Sequence, residues 1–87
     1  MVRAGRPLYA GRVKASYIDA VYREIGARIV TARKARHMSQ EQLAAASDID
    51  RSHMGFIEQG RRKPTITTLY KITRTLGINL EQLFKGL

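Results

Sequence analysis

Residues 40–59 of the chain run QEQLAAASDIDRSHMGFIEQ, and the fold turns on this stretch. Each half has helical spacing, and Ser47-Asp48-Ile49 between them is long enough only for a tight turn. Two short helices joined in this way cross at a steep angle, so the fifth residue of the first meets the second. Only a small side chain fits such a crossing, and Ala44 stands there. Leu43, Ile49, Met54 and Ile57 are apolar where the inner faces of the pair must be. One turn position calls for positive φ, and Asp48 belongs to the few residues besides glycine that tolerate it.

On the N-terminal side, Ile18, Val21, Ile25, Ile29 and Ala32 recur at three- and four-residue steps, predicting a long helix over about 17–36. Ser16 with Asp19 resembles a capping box at its start. Gly26 is its weak point, because glycine costs about 1 kcal/mol relative to alanine inside a helix. Ser39 with Gln42, then Asp50, Thr65 and Asn79, predict four further helix starts. Arg36-His37-Met38, Gly60 through Pro64, and Gly77-Ile78 are the remaining breaks. Ile66, Leu69, Ile72, Thr73 and Leu76 line up along the fourth helix, and Leu80, Leu83 and Phe84 along the fifth. No run alternates with period two for long enough to make a strand, so the predicted class is all-α with about five helices over residues 16–87. The second and third helices are too short to stand alone and must be held by the others. Residues 1–15 hold Gly5, Pro7 and Gly11 with Arg3, Arg6, Arg12 and Lys14 and show no helical period. They are expected to form a flexible basic arm, either an idle terminus or one that contacts DNA.

The whole chain has 87 residues, room for one domain. Sixteen Lys and Arg against seven Asp and Glu leave a net charge of +9. Such an excess on a small protein seeks a polyanion, but composition alone does not choose among DNA, RNA, anionic lipid and an acidic protein. Hydrophobic residues make up 44%, enough for one small core without a deep substrate cleft. Cysteine is absent, which removes disulfides, thiolate metal sites and thiol nucleophiles, and two histidines (His37 and His53) make a poor metal site. No cofactor or metal is expected. No apolar run approaches the length of a membrane span, and the basic start lacks the apolar middle of a secretory signal. An acid-free, Arg-rich start is also compatible with an organellar transit peptide; a basic arm on a cytoplasmic protein is the simpler expectation.

The ordered set of motifs resembles the Cro/C1-type (XRE-like) helix–turn–helix family of bacterial and phage transcription regulators. The resemblance runs from about Ile25 to Phe84. It is carried by Ile25-Gly26 with Ile29, Ser39-Gln40, Leu43-Ala44, Ile57-Glu58-Gln59-Gly60, Pro64-Thr65, Leu76-Gly77-Ile78 and Leu83-Phe84. Restriction–modification controllers, small antitoxin-like proteins and phage repressors share its size and pattern. The resemblance implies a compact, lambda-repressor-like DNA-binding domain whose second motif helix enters the major groove. It puts Arg51, Ser52, His53, Gly55 and Phe56 at the base edges. Arg51 is the strongest candidate for specificity, since a guanidinium can bond bidentately to guanine. Gly55 has no evident packing reason, and close approach to the groove would explain it. Phe56 is either a thymine-methyl contact or a partly buried core ring.

Phosphate contacts are expected from Gln40, which also braces the recognition helix at the matching family position, and from Arg61, Arg62 and Lys63. Thr65 and Thr67 at the start of the fourth helix add free amides for a phosphate oxygen. Arg33 and Glu58 match family positions that are often salt-bridged. His37 stands where glycine is common in the first joint. One module makes too few contacts for tight specific binding, so a homodimer on a double-stranded DNA operator is expected. Leu80, Phe84 and Leu87 are candidates for its interface or for ordinary core closure, and Leu83 for the core. RNA polymerase or a cognate toxin are the further partners such a regulator would have.

Three other classes compete. An antitoxin-like module that binds an acidic protein has no need of Arg51, Ser52 and three loop cations around Gln40. A membrane-surface helix built on Arg23, Arg28 and Lys34 conflicts with the need for Ile25 and Ile29 in the core. An enzyme would need a phosphate-cradling loop, a metal cluster or a triad, and Ser39, Ser52 and His53 have no partner for one.

Overall fold

The computed structural model describes residues 12–87, and these form five helices and no strand. They are α1 (Ala15–Ala35), α2 (Gln40–Ala46), α3 (Arg51–Glu58), α4 (Ile66–Leu76) and α5 (Leu80–Phe84). The basic arm expected over 1–15 lies outside the described residues as far as residue 11. None of the described helices is long and apolar enough to cross a membrane.

Helix starts follow local side-chain chemistry. Ser39 and Gln42 form a reciprocal capping box, Asp50 Oδ2 accepts from the His53 amide at 3.2 Å, and Thr65 Oγ1 accepts from the Thr68 amide at 3.1 Å. Asn79 and Gln82 form a second capping box. The box expected from Ser16 and Asp19 does not form. Helix α1 begins earlier, with Lys14 at its cap and no side-chain capping bond, so Ser16 already lies within the first turn.

Four helices end alike. The amides of Met38, Ile49, Arg61 and Ile78 each reach back five residues, to the carbonyls of Arg33, Ala44, Phe56 and Thr73, at 2.8–3.2 Å. This Schellman closure needs a left-handed residue just before the reaching amide. His37 and Asp48 supply it at φ 55°, Gly60 at 73° and Gly77 at 71°. Met38, Ile49 and Ile78 then fold back against the core.

The core is built from Ile25 and Ile29 of α1, Leu43 and Ala44 of α2, and Met54 and Ile57 of α3. Leu69, Ile72 and Leu76 of α4 and Leu83 of α5 complete it. Two residues expected inside it are not there: Ile18 is 38% exposed and Ile66 is 61% exposed. Both sit in or near a first helical turn, where no neighbouring element covers them. The stripes become core only from Val21 and Leu69 onward.

Helix α1 is joined to α3 by backbone contact and by charge. A β-carbon at Gly26 would stand 2.5 Å from the Glu58 carbonyl oxygen and 2.6 Å from that of Ile57. Gly26, the apparent weak point of α1, is therefore what lets the two helices meet. Beside it, Arg33 Nε and Nη2 donate to the two Glu58 carboxylate oxygens at 2.9 and 3.0 Å. Gln40 Nε2 of α2 donates to the same carboxylate at 3.1 Å, while Arg33 Nη1 donates to the Met38 carbonyl at 3.0 Å. The Glu58 side chain is only 4% exposed, and three donors replace its water.

Gly26→Ala is expected to lower stability by about 1–3 kcal/mol through overpacking, although alanine is the better helix former. Urea unfolding measures it, and a gain in stability would contradict the close crossing. Glu58→Ala should cost about 3 kcal/mol, because it strands a largely buried guanidinium. An unchanged melting temperature would show that the pair holds nothing.

Candidate nucleic-acid interface

Helix α3 turns Met54, Ile57 and Glu58 inward, and the same helical period turns Arg51 and Ser52 out into solvent. His53, Gly55 and Phe56 are half-buried along the flank. Arg51 stands at the first position of the helix, held there by the Asp50 cap. Its Nε lies 3.2 Å from Glu41 Oε1 at the start of α2, with both side chains well exposed. An ion pair in that setting contributes about 0–1 kcal/mol, so the guanidinium can exchange partners.

Gly55 has a packing reason after all. The Gln40 carboxamide lies against it, and a β-carbon there would stand 3.3 Å from Gln40 Oε1. The missing side chain makes room for the amide that reaches on to Glu58. Gln40 is thus a brace between α2 and α3, and its side-chain N–H is already engaged.

Phe56 is neither a core ring nor a free one. The guanidinium carbons of Arg61 and Arg62 lie 5.1 and 5.2 Å from its ring centroid. Arg61, Arg62 and Lys63 are all exposed, in the loop that follows the Gly60 reversal. A β-carbon at Gly60 would strike the Arg23 backbone at 2.6 Å, so this loop is drawn tight against α1. Lys63 Nζ lies 3.7 Å from Asp19. Thr65 commits its hydroxyl to the α4 cap, whereas Thr67 is exposed in the first turn.

The residues expected at a dimer interface divide. Phe84 and Leu87 line an open apolar groove of about 640 Å³ with Ile18, Tyr22 and Ile66. Leu80 does not line this groove; it is partly buried against the core. The groove and the Glu41 partner of Arg51 were not found by sequence reasoning. The first was hidden because Ile18 and Ile66 continue true core stripes. The second has no sequence signal, since ten residues of intervening chain bring the two helix starts together.

A family model described as helix-turn-helix matches residues 29–83. A control protein, C.MunI, of a Mycoplasma species is 42% identical over 50 residues, covering 58% of this chain and 68% of the relative. An HTH-type transcriptional regulator of Sinorhizobium fredii is 31% identical over 55 residues, covering 63% of this chain and 71% of the relative. The immunity repressor of Bacillus phage phi105 is 38% identical over 56 residues, covering 64% of this chain but only 39% of the repressor. Among solved structures, the restriction-modification controller protein C.AhdI from Aeromonas hydrophila superposes with a TM-score of 0.73 at 35% identity. That match covers 75% of this chain and 98% of C.AhdI. With the family model spanning most of the described fold, the chain belongs to the helix-turn-helix family.

Proposed function

We propose that this protein is a sequence-specific, double-stranded-DNA-binding transcription regulator that acts as a homodimer on a pseudo-palindromic operator. The observation that carries this is the division of α3: Glu58 is locked inside, Arg51 is left outside at the start of the helix, and the exposed Arg61–Lys63 loop follows its end. In the major groove, Arg51 would leave Glu41 for a guanine edge, with Ser52 and His53 beside it. Arg61, Arg62, Lys63 and the first turn of α4 at Thr65 and Thr67 would meet phosphates, fixing register without reading sequence. Gln40 would add a phosphate contact only through groups not already committed to Glu58. No catalytic step belongs to this function.

One domain makes few base contacts, and a two-fold pair doubles them across half-sites about 34 Å apart. The apolar groove between α1, α4 and α5 supports that pairing. Ile66 and Leu87 are 61% and 48% exposed, and an isologous interface would cover both at once. Phe84 and Leu87 would contribute to it, and Leu80 only at its margin.

Mobility shifts with the protein's own upstream duplex and a scrambled duplex test the reading. Arg51→Ala should erase about 1–3 kcal/mol of preference at one base pair in each half-site, whereas Arg62→Ala should weaken both duplexes alike and lower the salt slope by about one. Unchanged preference in the Arg51 variant would remove that residue from base reading. Sedimentation should show a concentration-dependent dimer for the wild type and a folded monomer for Ile66→Asp. A dimer that survives this charge would place the interface elsewhere.

A further inference from the structure

The end of α3 differs from the three other helix ends that close in the same way. A Schellman closure carries the residue after the left-handed position back over the last turn, where an apolar contact commonly forms. Met38, Ile49 and Ile78 fill that place in the other three, each half-buried against the core. At the end of α3 the place belongs to Arg61, and the residue under it is Phe56. Arg62 joins the same ring. Among the described residues, neither guanidinium forms an ion pair with a carboxylate.

How a cation is held decides what it can still do. A carboxylate occupies the N–H edge of a guanidinium, the edge that phosphate also needs. An aromatic ring holds the flat face and leaves the edge free. Lys63 and Arg51 are held in the first way, by Asp19 and Glu41. Arg61 and Arg62 lie instead over the Phe56 ring, at 5.1 and 5.2 Å from its centroid and without a carboxylate partner among the described residues. Arg61 adds a long 3.4 Å contact from Nη1 to the Gln59 side chain.

From this we infer that Phe56 is a positioning residue. Its ring pre-orders Arg61 and Arg62 so that two guanidinium edges meet adjacent phosphates of a nucleic-acid backbone together. The role rests on the DNA-binding function proposed above and deepens it: Phe56 acts on affinity for any duplex, and does not read a base. An arginine ordered only on contact forfeits about two- to tenfold in affinity, which a preformed stack retains.

The test compares wild type, Phe56→Leu and Phe56→Tyr on the upstream and scrambled duplexes across a salt series. Phe56→Leu should weaken both by the same factor, about two- to tenfold, with the salt slope unchanged, because both arginines still neutralise their phosphates once bound. Phe56→Tyr should restore both. In an Arg61→Gln, Arg62→Gln background the Leu substitution should do nothing further, which separates positioning from damage to the fold. Three results would overturn the inference: lost preference at a single base pair, a full effect in the double-glutamine background, or no effect at all. Should the wild type bind neither duplex at low salt, the DNA-binding function itself falls and the phosphate role with it. Arginine side-chain proton shifts, displaced by the ring in wild type and normal in Phe56→Leu, would then still report whether the stack exists.

Discussion

The Glu58 carboxylate is the constraint on which the rest of the molecule depends. It takes donors from α1 through Arg33 and from α2 through Gln40, and its own helix is α3. Desolvating a carboxylate is costly unless every lone pair finds a donor, so the site admits few alternative arrangements. One glycine makes the arrangement sterically possible and a second eases it. Gly26 lets α1 lie on the α3 backbone, and Gly55 leaves space for the Gln40 amide. Helices as short as α2 and α3 have little stability of their own, so their mutual angle is a property of this junction. The outer edge of α3 is defined by what the inner edge is tied to.

Four ways of holding a cation accompany four roles. Arg33 is buried, bidentate and structural. Arg51 is tethered at the surface to Glu41 by a pair weak enough to exchange. Lys63 lies 3.7 Å from Asp19 of α1 in an exposed pair, on a loop that Gly60 already brings against that helix. Arg61 and Arg62 lie over an aromatic ring with no carboxylate partner among the described residues. A net charge of +9 would draw any polyanion; this division is what favours a duplex with both a groove and a backbone to contact.

Much of the fold was legible because its determinants are local. Ser39, Asp50, Thr65 and Asn79 cap helices through amides three residues away, and Asp48 turns the chain at positive φ. Ala44 marked the crossing by its size alone. The misreadings concern contacts made at a distance in sequence. Gly26 looked like a defect, since nothing near it in sequence announces the carbonyls of residues 57 and 58. Gly55 looked unexplained because Gln40 approaches it from another helix. Ile18 and Ile66 keep perfect helical phase with the core yet fall where no element covers them, and periodicity reports direction without reporting coverage. Phe56 reads equally as a groove or a core ring, and its partners are the charged Arg61 and Arg62.

The junction at Glu58 fixes which edge of α3 faces outward, and with it where Arg51, Arg61 and Arg62 stand for the duplex proposed above. Nuclear magnetic resonance of the isotopically labelled full chain, titrated with a duplex from its own upstream region, tests this most directly. The amide and arginine side-chain signals of Arg51, Ser52, Arg61 and Arg62 should move together. Those of Ile18, Ile66 and Leu87 should stay in place when the titration starts from protein concentrated enough to be dimeric already. Perturbations confined to the α4–α5 surface, with the α3 edge silent, would contradict the account.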